Sequence, residues 1–163
     1  MGIKEEGRVR VSMGQSVLVV RSVKRLAVNL KIKIDGSSKP NPGKSSCAAV
    51  VYIDDELAFS TYRYLGLKTN NIAEHQGLIL ALRIAVLLKA DNVVVESDSR
   101  VAVNHFSGAW NANNGDLALL VQRERKLAAK IRYLSVIWVG RANVMPAHNL
   151  IEERMNEFQA AGK

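Results

Sequence analysis

The run KIKIDGSSKPNPG, residues 31–43, decides how this chain folds. Lys31-Ile32-Lys33-Ile34-Asp35 reads as a strand, expected over 28–35 and closed by Asp35. The next eight residues, Gly36 to Gly43, are dense in turn formers, and Pro40 and Pro42 bar a helix, so 36–43 reads as a loop. An apolar strand that ends on a carboxylate and then turns places that carboxylate at a sheet edge.

Working outward, 46–53 and 57–65 are β-rich runs parted by Asp54-Asp55-Glu56, a hairpin signal. A helix follows over 71–88. Glu74, Leu78, Ala81, Leu82 and Ala85 share one face of it by their spacing of three and four, so Glu74 points toward the sheet. The Val-rich run 92–97 reads as a strand buried on both faces and ends on Ser97-Asp98. A short helix over 99–106, a polar loop over 108–115 and a helix over 116–130 capped by Asp116 come next. A last strand over 131–139, a loop over 140–145 and a helix over 146–159 with Pro146 at its start complete the chain. The order β-β-β-α-β-α-α-β-α describes an α/β fold, a five-stranded mixed sheet with helices on both faces.

The chain has 163 residues, 48% hydrophobic and 23% charged, enough for one domain with a core. That domain is expected over 28–160. Residues 1–27 form a basic extension, an arm or targeting segment, with six basic residues against Glu5 and Glu6. Within it 1–12 reads as loose and 16–23 as a strand or arm. No apolar run approaches the roughly 20 residues that span a bilayer, so no membrane partner is expected. The net charge of +8 suits an anionic partner such as nucleic acid, or a basic protein with no such partner. The single cysteine, Cys47, reads as a small buried hydrophobe, and the chain as an intracellular monomer of cytoplasm or nucleus, with an organelle left open by the basic start.

Asp35, Glu74 and Asp98 thus fall at a strand end, a helix start and a second strand end. Converging carboxylates repel and raise one another's pKa unless a cation lies between them. Mg²⁺ fits best, since it takes oxygen ligands from a few carboxylates and keeps positions for water and phosphate. Singly, Asp35 could be a turn residue, Glu74 a charge favoured by the helix dipole and Asp98 a cap. His75 and His105 read as surface or packing residues, and Trp110 and Trp138 as packing.

These residues, in this order, resemble the ribonuclease H type 1 family. Asp35-Gly36-Ser37 with Asn41-Pro42-Gly43 resembles its first motif, Thr69-Asn70-Asn71-Ile72-Ala73-Glu74 its second, and Ser97-Asp98-Ser99 its third. The resemblance spans about residues 30–155 and implies the RNase H-like fold. It implies an endonuclease that hydrolyses the RNA strand of RNA–DNA hybrids. Asp35, Glu74 and Asp98 would hold two Mg²⁺ about 4 Å apart, one activating water and the other stabilising the departing 3′ oxygen. It also implies substrate contacts: Gly36 and Ser37 beside the first carboxylate, Asn41, Thr69 and Asn70 on DNA phosphate, Asn71 and Arg100 on RNA. Gly36 and Gly43 would let the backbone approach the nucleic acid closely.

The family's fourth carboxylate, an Asp opening the last helix, is missing. The spacing from Arg141 puts His148 there, as in the plant and reverse-transcriptase-associated kind; a second alignment puts Asn156 there. Imidazole suits Mn²⁺ better than Mg²⁺, so Mn²⁺ would substitute well, and His148 could instead shuttle a proton. The alternative function is a non-catalytic or weakly catalytic nucleic-acid-binding domain, or a subunit of a ribonucleoprotein.

Overall fold

Asn29–Lys39 (β3) is the central strand of the molecule, a computed structural model that describes residues 8–13, 16–21 and 25–161. It pairs antiparallel with Gly43–Ile53 (β4), which pairs antiparallel with Glu56–Lys68 (β5). On its other side β3 runs parallel to Asn92–Ser97 (β6), and β6 parallel to Tyr133–Trp138 (β7). The order β5-β4-β3-β6-β7 is a five-stranded mixed sheet, as expected. Ahead of it, Arg8–Met13 (β1) and Ser16–Arg21 (β2) pair antiparallel in a two-stranded sheet of their own, so part of the stretch read as loose is strand. The expectations for 1–7, 14–15 and 22–24 lie outside the described residues.

Among the described residues four helices join the strands: Asn70–Leu87 (α1), Arg100–Ser107 (α2), Gly115–Ala128 (α3) and Arg141–Ala161 (α4). Leu30, Ile32 and Ile34 project from one face of β3 and pack with Leu78, Ala81, Leu82 and Ala85 of α1. The opposite face is covered by α4, where Ala147, Ile151 and Met155 meet Ala48 and Val50 of β4. Alternation along β4 therefore feeds two cores, and each fully buried Leu or Ile contributes about 1.5–3 kcal/mol. Cys47 is fully buried, and burial pushes its thiol up to about 12, as its reading as a small hydrophobe requires. None of the described helices is long and apolar enough to cross a membrane.

Several boundaries differ from the sequence reading. Residues 36–39, expected in a loop, continue β3, because Gly36, Ser37, Ser38 and Lys39 pair with Cys47, Ser46, Ser45 and Lys44. Only Pro40 to Pro42 turn, and the Ser38 hydroxyl ties the turn to the carbonyls of Pro40 (2.8 Å) and Lys68 (2.7 Å). The Asp54-Asp55 hairpin is present, with φ of 49° and 66°, the left-handed pair that a two-residue hairpin turn requires. α3 is capped by Asn114 rather than Asp116: its Oδ1 accepts from the Asp116 amide at 2.9 Å. Of the three valines of β6, Val93 and Val95 are buried while Val94 is half-buried, since α4 lies over β3 and β4.

The largest shift is at α4. Residues 141–145, expected to be loop, are helix, and Pro146 lies inside it. As the sixth helical residue, Pro146 forfeits only the bond to the Ala142 carbonyl. His148 therefore sits two turns into the helix instead of opening it.

Candidate metal centre

Register sets the first contact. Ile34 pairs with Ser97, so Asp35 and Asp98, one residue further along two parallel strands, emerge side by side. Alternation turns Asp35 away from the α1 face of β3 and toward α4. Glu74 reaches the same spot because Gly36 has no side chain: a Cβ there would collide with the backbone of Ala73 and Glu74. Within the chain, Gly36 permits a close approach to α1, and Gly43 one to Pro40. Thr69 caps α1, its hydroxyl accepting from the Ile72 amide at 3.3 Å.

The three carboxylates each offer an oxygen, and these oxygens lie within 4.8 Å of one another. Asp35 and Glu74 are 1% and 6% exposed, and Glu74 Oε2 has no hydrogen-bond partner. Burial pushes the Glu74 carboxyl well above the usual carboxylate range, and the charges of Asp35 and Asp98 push it further. Burial also raises Asp35, opposed by its hydrogen bond with His148. A buried oxygen with no donor, inside an all-oxygen cluster of like charge, fits a hard divalent cation such as Mg²⁺ or Mn²⁺.

Two side chains of α4 close the cluster. His148 Nδ1 lies 2.8 Å from Asp35 Oδ2 and 3.3 Å from Arg141 Nη1. One nitrogen cannot donate to the first and accept from the second. The shorter contact, to a carboxylate, assigns Nδ1–H to Asp35 and leaves Nε2 as the acceptor. Arg141 instead stands 3.3 Å from Asp98 and 3.8 Å from Asp35. Sequence reasoning used Arg141 only to set spacing; its position seven residues before His148, two turns along one helix face, was the available signal. Asn156 lies two further turns along α4 and is exposed.

The residues expected to contact substrate gather at the N-terminus of α1 and beside Asp98. Asn41 Oδ1 accepts from the Asn70 amide at 2.9 Å, and Asn70 Oδ1 from the Ser38 amide at 3.3 Å. Ser37 is buried in β3, while Thr69 and Asn71 are exposed. Exposed Arg100 lies 4.4 Å from the centre of the Trp138 ring, and Trp138 Nε1–H donates to the Asp98 carbonyl at 3.2 Å. Trp138 is 45% exposed, so it braces the Asp98 turn rather than filling the core.

The profile of the Reverse transcriptase-like family matches residues 33–153, most of the chain. The chain belongs to that ribonuclease H-like family. Its fold superposes on the N-terminal RNase H domain of Rv2228c from Mycobacterium tuberculosis with a TM-score of 0.77 and 33% identity, covering 84% of this chain and 100% of that one. RNase H1 of the halophilic archaeon Halobacterium salinarum follows at 0.72 and 30%, covering 75% and 93%. LC11-RNase H1, solved with an RNA/DNA hybrid, shares the fold alone at 0.70 and 22%, covering 75% and 93%. Against complete proteins, the chain spans about a third of the length of the bifunctional protein Rv2228c (35% identity, 77% of this chain). It spans 62% of Halobacterium ribonuclease HI (31% identity, 76% of this chain). The family and the RNase H-like fold are those the sequence motifs imply.

Proposed function

We propose that this chain is an endoribonuclease that hydrolyses the RNA strand of RNA–DNA hybrids. The observation that carries this is the buried triad of Asp35, Glu74 and Asp98, with its unpartnered Glu74 oxygen, in a family whose members include ribonuclease HI. The LC11 relative of the same fold was solved holding a hybrid. Asp35, Glu74 and Asp98 would hold two divalent cations. Bound there, the ions would supply the positive charge that activates water and stabilises the leaving 3′ oxygen. His148, where a fourth carboxylate is expected, holds a proton on Nδ1 toward Asp35 and so orients that ligand, as outer hydrogen bonds do around metals. Its Nε2 is left to take or give a proton. Asn41, Thr69 and Asn70 would meet the DNA strand; Ser37, with the Gly36 backbone, lies beside Asp35; Asn71 and Arg100 would read the RNA through its 2′-hydroxyls.

A second reading is a domain on this fold that binds hybrid or RNA without cutting, alone or as a ribonucleoprotein subunit. One observation favours it: Arg141 lies within 3.3 Å of Asp98 and supplies part of the positive charge the triad lacks. End-labelled hybrid incubated with the chain in Mg²⁺ and in Mn²⁺, beside Asp35→Asn, separates the two. Cutting of the RNA strand that disappears in the variant supports the nuclease. Hybrid bound but intact in both metals moves the function to the binding domain.

A further inference from the structure

Behind the triad lies a second buried polar cluster that the proposed chemistry does not use. His75 follows Glu74 on α1 and is 0% exposed. Its Nδ1 lies 2.7 Å from Oε1 of Glu124 on α3, also 0% exposed, and its Nε2 lies 3.1 Å from Nδ1 of His105 on α2. The two imidazoles lie edge to edge and nearly coplanar, 12° apart, with ring centres 5.3 Å apart. An ionised Glu124 accepts from His75 Nδ1–H, and Nε2 of a neutral His75 then accepts from His105 Nδ1–H. One carboxylate thereby sets the direction of the whole chain. Arg125 adds a bond from α3 to the His105 carbonyl at 3.2 Å.

The placement matters because α2 begins directly after Asp98, with Ser99 as its cap and Arg100 as its first residue. His105 is near the other end of that helix. Across α1, residues on the Glu74 side are pinned to β3: Ala73 and Glu74 lie against Gly36, and a Cβ on Gly77 would stand 3.2 Å from the Asp35 carbonyl oxygen. α1 is therefore fixed on one side to the strand bearing Asp35 and on the other to the helix that follows Asp98.

We infer that the Glu124–His75–His105 chain is a positioning device: by holding the far end of α2 on α1 and α3, it sets where Asp98 and Arg100 stand relative to Glu74. The inference rests on the triad being the metal site. Its test is Mn²⁺ binding to the folded protein, read from the electron paramagnetic resonance of free Mn²⁺, alongside thermal denaturation. Glu124→Leu removes the acceptor and should weaken Mn²⁺ binding by about 10-fold, the low end of the loss seen when outer partners of metal ligands are removed. Glu124→Gln keeps an acceptor for His75 and should restore binding to within about twofold of the wild type. Should Glu124→Leu fail to fold, His105→Phe keeps an aromatic ring without the hydrogen bond and should weaken binding in the same direction.

Variants that melt earlier yet bind Mn²⁺ as the wild type does would make the chain a packing feature and overturn the inference. So would Glu124→Gln losing as much affinity as Glu124→Leu. Failure of the wild type itself to bind Mn²⁺ would instead overturn the metal-site reading beneath it.

Discussion

Glu74 and His75 are neighbours in sequence and sit in opposite chemical situations. Glu74 enters a cluster of three carboxylates, where burial and the charges of Asp35 and Asp98 outweigh the help of Arg141 and the Gly36 amide, and one oxygen has no donor. His75 enters a cluster in which both of its ring nitrogens are hydrogen-bonded by protein, and only Glu124 Oε2 is left without a partner. Desolvation costs fall on both, yet only the second cluster supplies most of its own compensation. An unpartnered oxygen among carboxylates of like charge points to something arriving from outside, whereas a carboxylate bonded to an imidazole points to architecture. α1 carries both kinds on adjacent residues, which is why its placement matters so much.

The largest way to break this contrast is Asp35→Asn. It removes a charge and one ligand oxygen from the triad, and hybrid cleavage should fall by about 10³-fold or more, the scale for single members of a catalytic unit. Unchanged cleavage would place the chemistry elsewhere.

Glu74→Gln tests the uncompensated charge without any substrate. In the folded protein the Glu74 carboxyl titrates above its unfolded value, so the fold binds that proton more tightly than the unfolded chain does. The ionised group therefore destabilises the fold once the pH rises above the unfolded value, increasingly up to the folded one. In chelator at neutral pH the Gln variant should be more stable by about 1–3 kcal/mol, with the advantage shrinking as the pH is lowered toward the usual Glu range. Urea denaturation at several pH values reads this directly. A variant less stable at neutral pH would mean that Glu74 is already compensated.

His148→Asp sharpens the contrast by adding a fourth like charge. The wild type is expected to turn over faster in Mn²⁺ than in Mg²⁺, and the variant should raise Mg²⁺-dependent cleavage by about tenfold while losing stability in chelator. A wild type equally fast in Mg²⁺ would remove the reason for the substitution. The smallest effect belongs to Arg141→Gln. Its guanidinium is 56% exposed, so its pull on Asp98 is screened, and removing it should tighten divalent-ion binding by at most about fivefold. Weaker binding would show Arg141 assisting the ions instead of competing with them.

Much of the site was legible because its carboxylates close or open regular elements. Glu74 stood out by falling on an apolar helix stripe, and Asp98 by ending a run of valines. The same test applied to α3 would have found Glu124, which follows Leu117, Leu120 and Val121 at helical spacing; inside Gln122-Arg123-Glu124-Arg125-Lys126 it reads instead as part of a solvated charged face. His75 and His105 gave no local signal, since their partners are 49 and 30 residues away. The extension of β3 through Gly36-Ser37-Ser38-Lys39 was hidden for a similar reason: these residues have loop composition, and only pairing with β4 makes them strand. Pro146 misplaced the start of α4 because proline favours a first turn but is tolerated one turn later. Even so, His148 faces Asp35 from two turns along the helix.

The most direct test of the central claim is thermal denaturation of the wild type and Asp35→Asn, each in chelator and in millimolar Mn²⁺. Ions that bind only the folded triad must stabilise it by mass action. The account predicts that Mn²⁺ raises the wild-type Tm and leaves that of Asp35→Asn nearly unmoved. No rise in the wild type, or an equal rise in both, would contradict it.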